Sequence, residues 1–211
     1  MWAISNRLNI KLFSVVFILS QLCLSGSVNA VDKSTVREKW HTPYDLYLSP
    51  QEAYDMKTGD PENVIFLDVR TQAEAQFVGF SDVADANIPI YKLTEEWKPK
   101  KDGIHGSYRK RYNTDFIKAI ENFMAMKGKD KSVPIILMCQ SGGRAPVVVR
   151  RMHDEGYEKV YFQVEGFEGN KAKQGPDKGK RVVNGWKKAG LPWSYNLKTE
   201  KMYFNFVPEQ K

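Results

Sequence analysis

A short apolar run that ends in a cysteine constrains this chain more than any other feature. Residues Val133 to Met138 are all apolar, which is typical of a strand covered on both faces of a parallel sheet. Cys139 follows directly and opens the segment Cys-Gln-Ser-Gly-Gly-Arg, which ends at Arg144. The glycines allow backbone N–H groups to turn inward, and the arginine adds a positive charge. The segment therefore predicts a loop around the sulfur atom that favours the thiolate and binds an anion.

A second apolar run places charged residues at the same edge of the predicted sheet. Val64 to Leu67 is continuously apolar, and Asp68 and Arg70 follow it. Open α/β sheets place their sites at the carboxyl ends of the strands. We expect Asp68 and Arg70 to orient neighbouring loops by ion pairing rather than to perform chemistry.

The spacing of apolar residues and turn signals predicts alternating strands and helices. Strands are predicted over Val64–Leu67, Ala86–Ile90, Val133–Met138 and Val160–Val164, and helices over Pro50–Lys57, Thr71–Phe77, Asp115–Lys127, 144–155 and Asn184–Ala189. This alternation predicts an α/β fold of three layers, in which a central, mostly parallel sheet is flanked by helices.

Residues 1–30 carry the pattern of a cleaved secretory signal peptide. Arg7 and Lys11 precede an apolar stretch (12–24), and small residues occupy the positions at 28–30 that a signal peptidase recognises. An uncleaved anchor is the alternative, but the stretch is short for a span of about 20 residues. We therefore expect a periplasmic or secreted protein with no stable membrane anchor after cleavage.

Cleavage would leave Cys139 as the single cysteine of the mature chain, because Cys23 lies in the signal. An unpaired thiol in an oxidising compartment cannot form an intramolecular disulfide, which favours a reactive role. A buried, inert cysteine is the alternative. Loss of the basic residues Arg7 and Lys11 would lower the formal net charge from +7 to +5. The lysines form no basic helix or aromatic–basic stripe, so nucleic acid is not expected as a partner.

The mature chain is long enough for one domain of about 180 residues. Residues 31–45 are predicted to be a loose lead-in, 46–195 the domain, and 196–211 a C-terminal tail. Two polar stretches, 91–112 and 169–181, are predicted to be surface insertions. The cations of the second insertion are either ordinary solvated surface or steer anions towards Cys139: Lys171, Lys173, Lys178, Lys180 and Arg181.

From Leu46 to Trp193 the chain resembles the rhodanese-like sulfurtransferases. Leu67-Asp-Val-Arg70 and Ala86-Asn-Ile-Pro89 are similar to the first two signatures of this family, and 139–144 to its six-residue active loop. Glu165-Gly166 and 186–192 are similar to its closing glycine-and-tryptophan segment. The family often has a histidine after the glycine that corresponds to Gly79, whereas this chain has Phe80.

The resemblance implies a three-layer rhodanese-like domain and a persulfide mechanism. The Cys139 thiolate would take the outer sulfur of thiosulfate or a similar donor and pass it to cyanide, a thiol or a periplasmic protein acceptor. The substrate-binding residues would be those of the loop: Gln140, Ser141, Gly142, Gly143 and Arg144. Their N–H groups would hold the anion, and Arg144 would pair with the sulfonate or persulfide. No cofactor and no metal are expected.

Three other classes compete with this interpretation. A cysteine phosphatase places its arginine six positions after the cysteine, whereas Arg144 is five positions on and position 145 is alanine. A cysteine hydrolase needs a histidine partner, and neither His41, His105 nor His153 is placed by sequence to activate Cys139. A non-enzymatic periplasmic binding or sulfur-carrier module stays open as the alternative function.

Overall fold

A parallel sheet of five strands forms the centre of the computed structural model, which describes residues 31–206. The predicted signal peptide (1–30) lies outside the described residues. In chain order the elements are β1 (Tyr47–Leu48), α1 (Pro50–Gly59), β2 (Ile65–Asp68), α2 (Gln72–Val78), β3 (Phe80–Ser81), β4 (Ala86–Asn87), β5 (Tyr91–Pro99), β6 (Gly106–Tyr112), α3 (Phe116–Met126), β7 (Ile135–Met138), α4 (Ala145–Asp154), β8 (Val160–Gln163) and β9 (Trp193–Ser194). The central sheet has the order β1-β8-β7-β2-β4, and each neighbouring pair is parallel.

Helices cover both faces of this sheet and make it the middle of three layers. Along β7, Ile136 and Met138 share a buried cluster with residues of α1 and α2. Leu137 and the following Cys139 belong to the cluster formed with α3 and α4. Successive side chains of a strand point to opposite faces, so an apolar run without alternation fills both cores. The predicted α/β fold of three layers is confirmed.

Local sequence signals account for the helices around the predicted site. Ser49 and Thr71 cap α1 and α2, and each forms a capping box with the glutamate three residues on. The helix predicted over 144–155 is α4, with proline in its first turn. Its three consecutive valines favour a strand by propensity, but Val148, Val149 and Met152 pack into the core along one helical face.

The helix predicted over Asn184–Ala189 is wrong, because this segment forms turns. The N–H groups of residues 185–187 bond to a neighbouring segment, whereas Ala189 N makes a helix-type bond to Gly185 O at 2.9 Å. Gly185 N donates to the Glu165 carboxylate at 2.8 Å and Trp186 N donates to Gly166 O at 2.9 Å. Trp186 is fully buried, so its side chain anchors the turn in the core.

The first insertion (91–112) lies at the surface, as predicted, and forms a hairpin of β5 and β6, although its sequence has no clear period of two. Two reasons explain the missing pattern. Most residues of both strands are exposed, so no buried face imposes alternation. The register also shifts between Leu93 and Trp97, which interrupts the period of two.

The segments at both ends of the described chain pack against the sheet. The lead-in is not loose: Val31 N donates to Tyr47 O at 3.1 Å, and Val36 is buried in the core. In the tail, Met202 forms a parallel bridge with Asn87, and Phe206 is buried. Within residues 31–206, no helix combines the length and the apolar character that a transmembrane span requires.

Candidate active site

Cys139 lies at the carboxyl end of the central strand β7. β2 and β8 flank that strand, so the turns after three neighbouring strands meet at one edge of the sheet. The Cys139 residue has 0% relative exposure, and the loop 139–144 leads from it into α4. The predicted loop therefore encloses a buried sulfur atom rather than presenting it on the surface.

The segment after β8 fixes the shape of this loop. Phe167 N donates to Cys139 O at 2.7 Å, and Glu168 N donates to Gln140 O at 2.9 Å. Gly142 has a φ of 89°, and a Cβ there would lie 2.1 Å from Val164 O. Only glycine combines this left-handed backbone with so close an approach. The two segments are thus locked together through main-chain contacts.

The middle of the loop has backbone N–H groups without a hydrogen-bond acceptor in the described part of the chain. Within residues 31–206, the amide groups of Ser141, Gly142 and Gly143 donate to no other residue. These three residues precede the amino end of α4, where the helix dipole favours negative charge. The Trp40 ring covers the glycines from the lead-in, 3.1 Å from the position of a Cβ on Gly142. The arrangement is suited to holding an anion beside the sulfur.

Asp68 and Arg70 form a fully buried ion pair behind the loop. Arg70 Nη2 lies 2.6 Å from Asp68 Oδ2 and also donates to Gly79 O at 2.7 Å. The guanidinium carbon lies 3.8 Å from the ring centroid of Phe167, the residue whose amide binds Cys139 O. The pair therefore reaches the loop through Phe167 and touches no reacting atom.

Arg144 is held by a carboxylate that sequence reasoning missed. Its guanidinium donates to both oxygens of Glu74 in α2, with Nη1 2.8 Å from Oε2. Burial raises the pKa of Glu74, but the hydrogen bonds and charge of Arg144 outweigh it and, with Lys110, lower the pKa to about 2. The position of Glu74 in the capping box with Thr71 was a signal in the sequence, although it pointed to the helix and not to Arg144.

Both predicted insertions bring a cation to the rim of the loop. From the hairpin, Lys110 Nζ lies 3.9 Å from Glu74 Oε2. From the second insertion, Arg181 Nη2 donates to Gln140 Oε1 at 3.2 Å, and the Gln140 amide donates to Glu168 at 2.7 Å. Burial is the main cause that lowers the pKa of Lys110, and the charge of Arg144 lowers it further while Glu74 opposes it.

Comparison with known proteins identifies the fold around this site. The sequence profile of the rhodanese-like domain matches residues 49–173, which is more than half of the chain. The chain belongs to the rhodanese-like domain family. The matched range includes the loop around Cys139 and the segment that locks it in place.

Relatives of this rhodanese-like chain occur in several Rickettsia species. An uncharacterized protein of Rickettsia conorii is 28% identical over 144 residues, which cover 68% of this chain and 93% of the relative. An uncharacterized protein of Rickettsia prowazekii is 27% identical over 133 residues, which cover 63% of this chain and 85% of the relative. The crystal structure of a protein from M. tuberculosis matches with a TM-score of 0.51 at 24% identity, covering 71% of this chain and 97% of that protein.

The histidines of this rhodanese-like domain bond away from Cys139. His41 Nε2 lies 3.0 Å from Val36 O, and His105 Nδ1 lies 3.0 Å from Asp102. His153 is exposed and lies beside Asp154. No group of three or more His, Cys, Asp or Glu side chains in the described part of the chain is arranged to hold a metal ion.

We expect Glu74→Gln to weaken the dependence of the free energy of unfolding on pH below about pH 4.5. The carboxyl pKa falls from an ordinary 4.5 to about 2 in the folded protein. Its contribution is therefore complete above pH 4.5 and is lost as the pH falls towards 2, in total about 3 kcal/mol. Denaturant unfolding at several pH values would measure this. An equal loss of stability between pH 5 and pH 2.5 in wild type and variant would contradict the role of the pair.

Proposed function

We propose that this rhodanese-like protein is a sulfurtransferase that carries sulfane sulfur as a persulfide on Cys139. One observation carries the proposal: a buried cysteine at the end of the central strand adjoins amide groups, at 141–143, that have no partner among the described residues. Membership of the rhodanese-like family supports the same chemistry. Thiosulfate or a related sulfur anion is the proposed donor, and cyanide or a thiol the proposed acceptor.

The proposed reaction has two balanced steps. The Cys139 thiolate attacks the outer sulfur of thiosulfate, a new S–S bond forms, and sulfite leaves with the electrons of the bond that breaks. The terminal sulfur of the persulfide then carries one negative charge, which N–H groups of the loop would stabilise. Cyanide or a thiolate attacks that sulfur, and Cys139 is released as the thiolate.

Arg144 has a part in this proposal although Glu74 binds it. A guanidinium has more N–H groups than the two hydrogen bonds to Glu74 use, so others remain for an incoming anion. Glu74 fixes the direction of the guanidinium and offsets its charge. Glu74 is therefore a positioning residue, and Arg144 the anion-binding residue beside Cys139.

A non-enzymatic binding or sulfur-carrier module is the second candidate. The complete burial of Cys139 favours it, since a buried persulfide is sheltered from acceptors in solution. In that case the sulfur would pass to a protein partner that opens the loop. For both candidates we propose a location in the periplasm or outside the cell, on the basis of the signal pattern of residues 1–30.

Mass spectrometry of the purified protein after treatment with thiosulfate tests the first step without knowledge of the acceptor. We expect a mass increase of one sulfur atom that maps to Cys139 and disappears with cyanide. Cys139→Ser is the control and should show no increase. Repeated turnover with cyanide or small thiols indicates an enzyme, whereas a persulfide that persists with them indicates a carrier. An unmodified wild-type protein would contradict both.

A further inference from the structure

Five charged side chains lie around the Cys139 loop, and they come from five separate parts of the chain. We call them the rim cluster: Glu74, Lys110, Arg144, Glu168 and Arg181. Arg144 interacts electrostatically with Cys139, and Lys110 interacts electrostatically with each of the other four members. The cluster is therefore one electrostatic unit beside the sulfur atom.

The charges of this cluster do not cancel. Arg144 is matched by Glu74 in a pair that makes two hydrogen bonds. Arg181 and Glu168 balance each other across the Gln140 amide, which bonds to both. Lys110 is the cation in excess, and Lys187 also lies within electrostatic range of Glu168, on the Phe167 side. An excess of positive charge attracts an anion, and a second negative charge on that anion increases the attraction.

We propose that Lys110 and Arg181 set the charge selectivity of the site, so that doubly charged sulfur anions react in preference to singly charged ones. This inference rests on the proposed sulfur-transfer function. Both residues lie in the insertions, outside the loop 139–144 that contains Cys139. Lys110 supplies the unmatched positive charge, and Arg181 holds the Gln140 side chain in place while compensating Glu168.

The register of the hairpin explains how Lys110 reaches the rim. Lys110 pairs with Leu93, and by alternation Tyr108 and Tyr112 share its face of β6. Arg109 and Arg111 lie on the opposite face, where both approach Glu96. One lysine of the strand is thus directed to the loop while its basic neighbours are paired elsewhere.

The test compares two donors that leave the same persulfide on Cys139. Thiosulfate carries two negative charges and releases sulfite, and methanethiosulfonate carries one and releases methanesulfinate. For the wild type, Lys110→Gln and Arg181→Gln, the second-order rate of persulfide formation is measured with each donor at low ionic strength. We expect the rate with thiosulfate divided by the rate with methanethiosulfonate to fall about threefold to tenfold in each variant. The difference in this ratio between wild type and variant should shrink as salt is added.

Two neutralised lysines in the same insertions are the matched controls. Lys98 lies on the face of the hairpin opposite to Lys110, and Lys178 is an exposed residue of the second insertion. Lys98→Gln and Lys178→Gln should keep the wild-type ratio, and thermal unfolding checks that all variants are folded. An unchanged ratio in both rim variants, or an equal fall in the controls, would overturn the inference. Failure of the wild type to form a persulfide with either donor would instead contradict the proposed function.

Discussion

Cys139→Ser is expected to lower sulfur transfer by about a thousandfold or more, because a serine hydroxyl provides no comparable anion at neutral pH. The side chains have similar shapes, so the α/β core should persist. Steady-state turnover of thiosulfate with cyanide would measure the loss. Turnover near the wild-type rate in the serine variant would exclude Cys139 as the sulfur carrier.

The serine variant also places a hydroxyl in a fully buried position. A buried hydroxyl without a partner costs about 1–3 kcal/mol, so the serine variant is expected to be less stable than the wild type by about that amount. Cys139→Ala avoids this cost and should be equally inactive. Circular dichroism and thermal unfolding of both variants would separate loss of chemistry from loss of fold.

Gly142→Ala is expected to produce the second largest effect. The new Cβ would lie 2.1 Å from Val164 O on a backbone with a φ of 89°, so the loop must move away from its supporting segment. We expect a loss of about 2–4 kcal/mol in the free energy of unfolding. Because a shift of about 1 Å in catalytic geometry costs about a hundredfold in rate, sulfur transfer should fall at least that far.

Gly156→Ala is the matched control for this prediction. Gly156 has a similar φ of 82°, but a Cβ there would meet no atom within 4 Å. The variant should lose about 1 kcal/mol of stability from backbone strain alone and keep its activity. Equal effects of the two substitutions on activity would mean that contact with Val164 does not hold the loop in its active shape.

The sequence was most informative where local patterns and burial agree. The apolar run before Cys139 became the central strand, and the capping signals at Ser49 and Thr71 start helices where expected. The helix predicted over 184–189 was wrong because the polar and apolar spacing resembles a short helix, whereas the N–H groups of residues 185–187 bond to residues 165–167. Such competition between local and distant partners is not visible in a single sequence.

The candidate site divides in the same way. The loop 139–144 and the ion pair of Asp68 and Arg70 lie close to their strands, so short motifs were enough to indicate them. Glu74 and Lys110 meet Arg144 only through the fold, because the three residues belong to α2, β6 and the start of α4. Nothing in the order of residues 91–112 indicates which of the basic side chains approaches Glu74.

The seat of the sulfur atom is assembled from residues on both sides of it in the chain, so the loop reaches its final shape only after both sides have docked. Trp40 precedes Cys139, but Val164 and Phe167, which close the loop from behind, follow it. In an unfolded or partly folded chain the thiol lacks this cover. Oxidants convert exposed thiolates to sulfenic and sulfinic acids. We therefore expect the unfolded protein to lose its Cys139 thiol to peroxide faster than the folded protein, which mass spectrometry of the two states would measure.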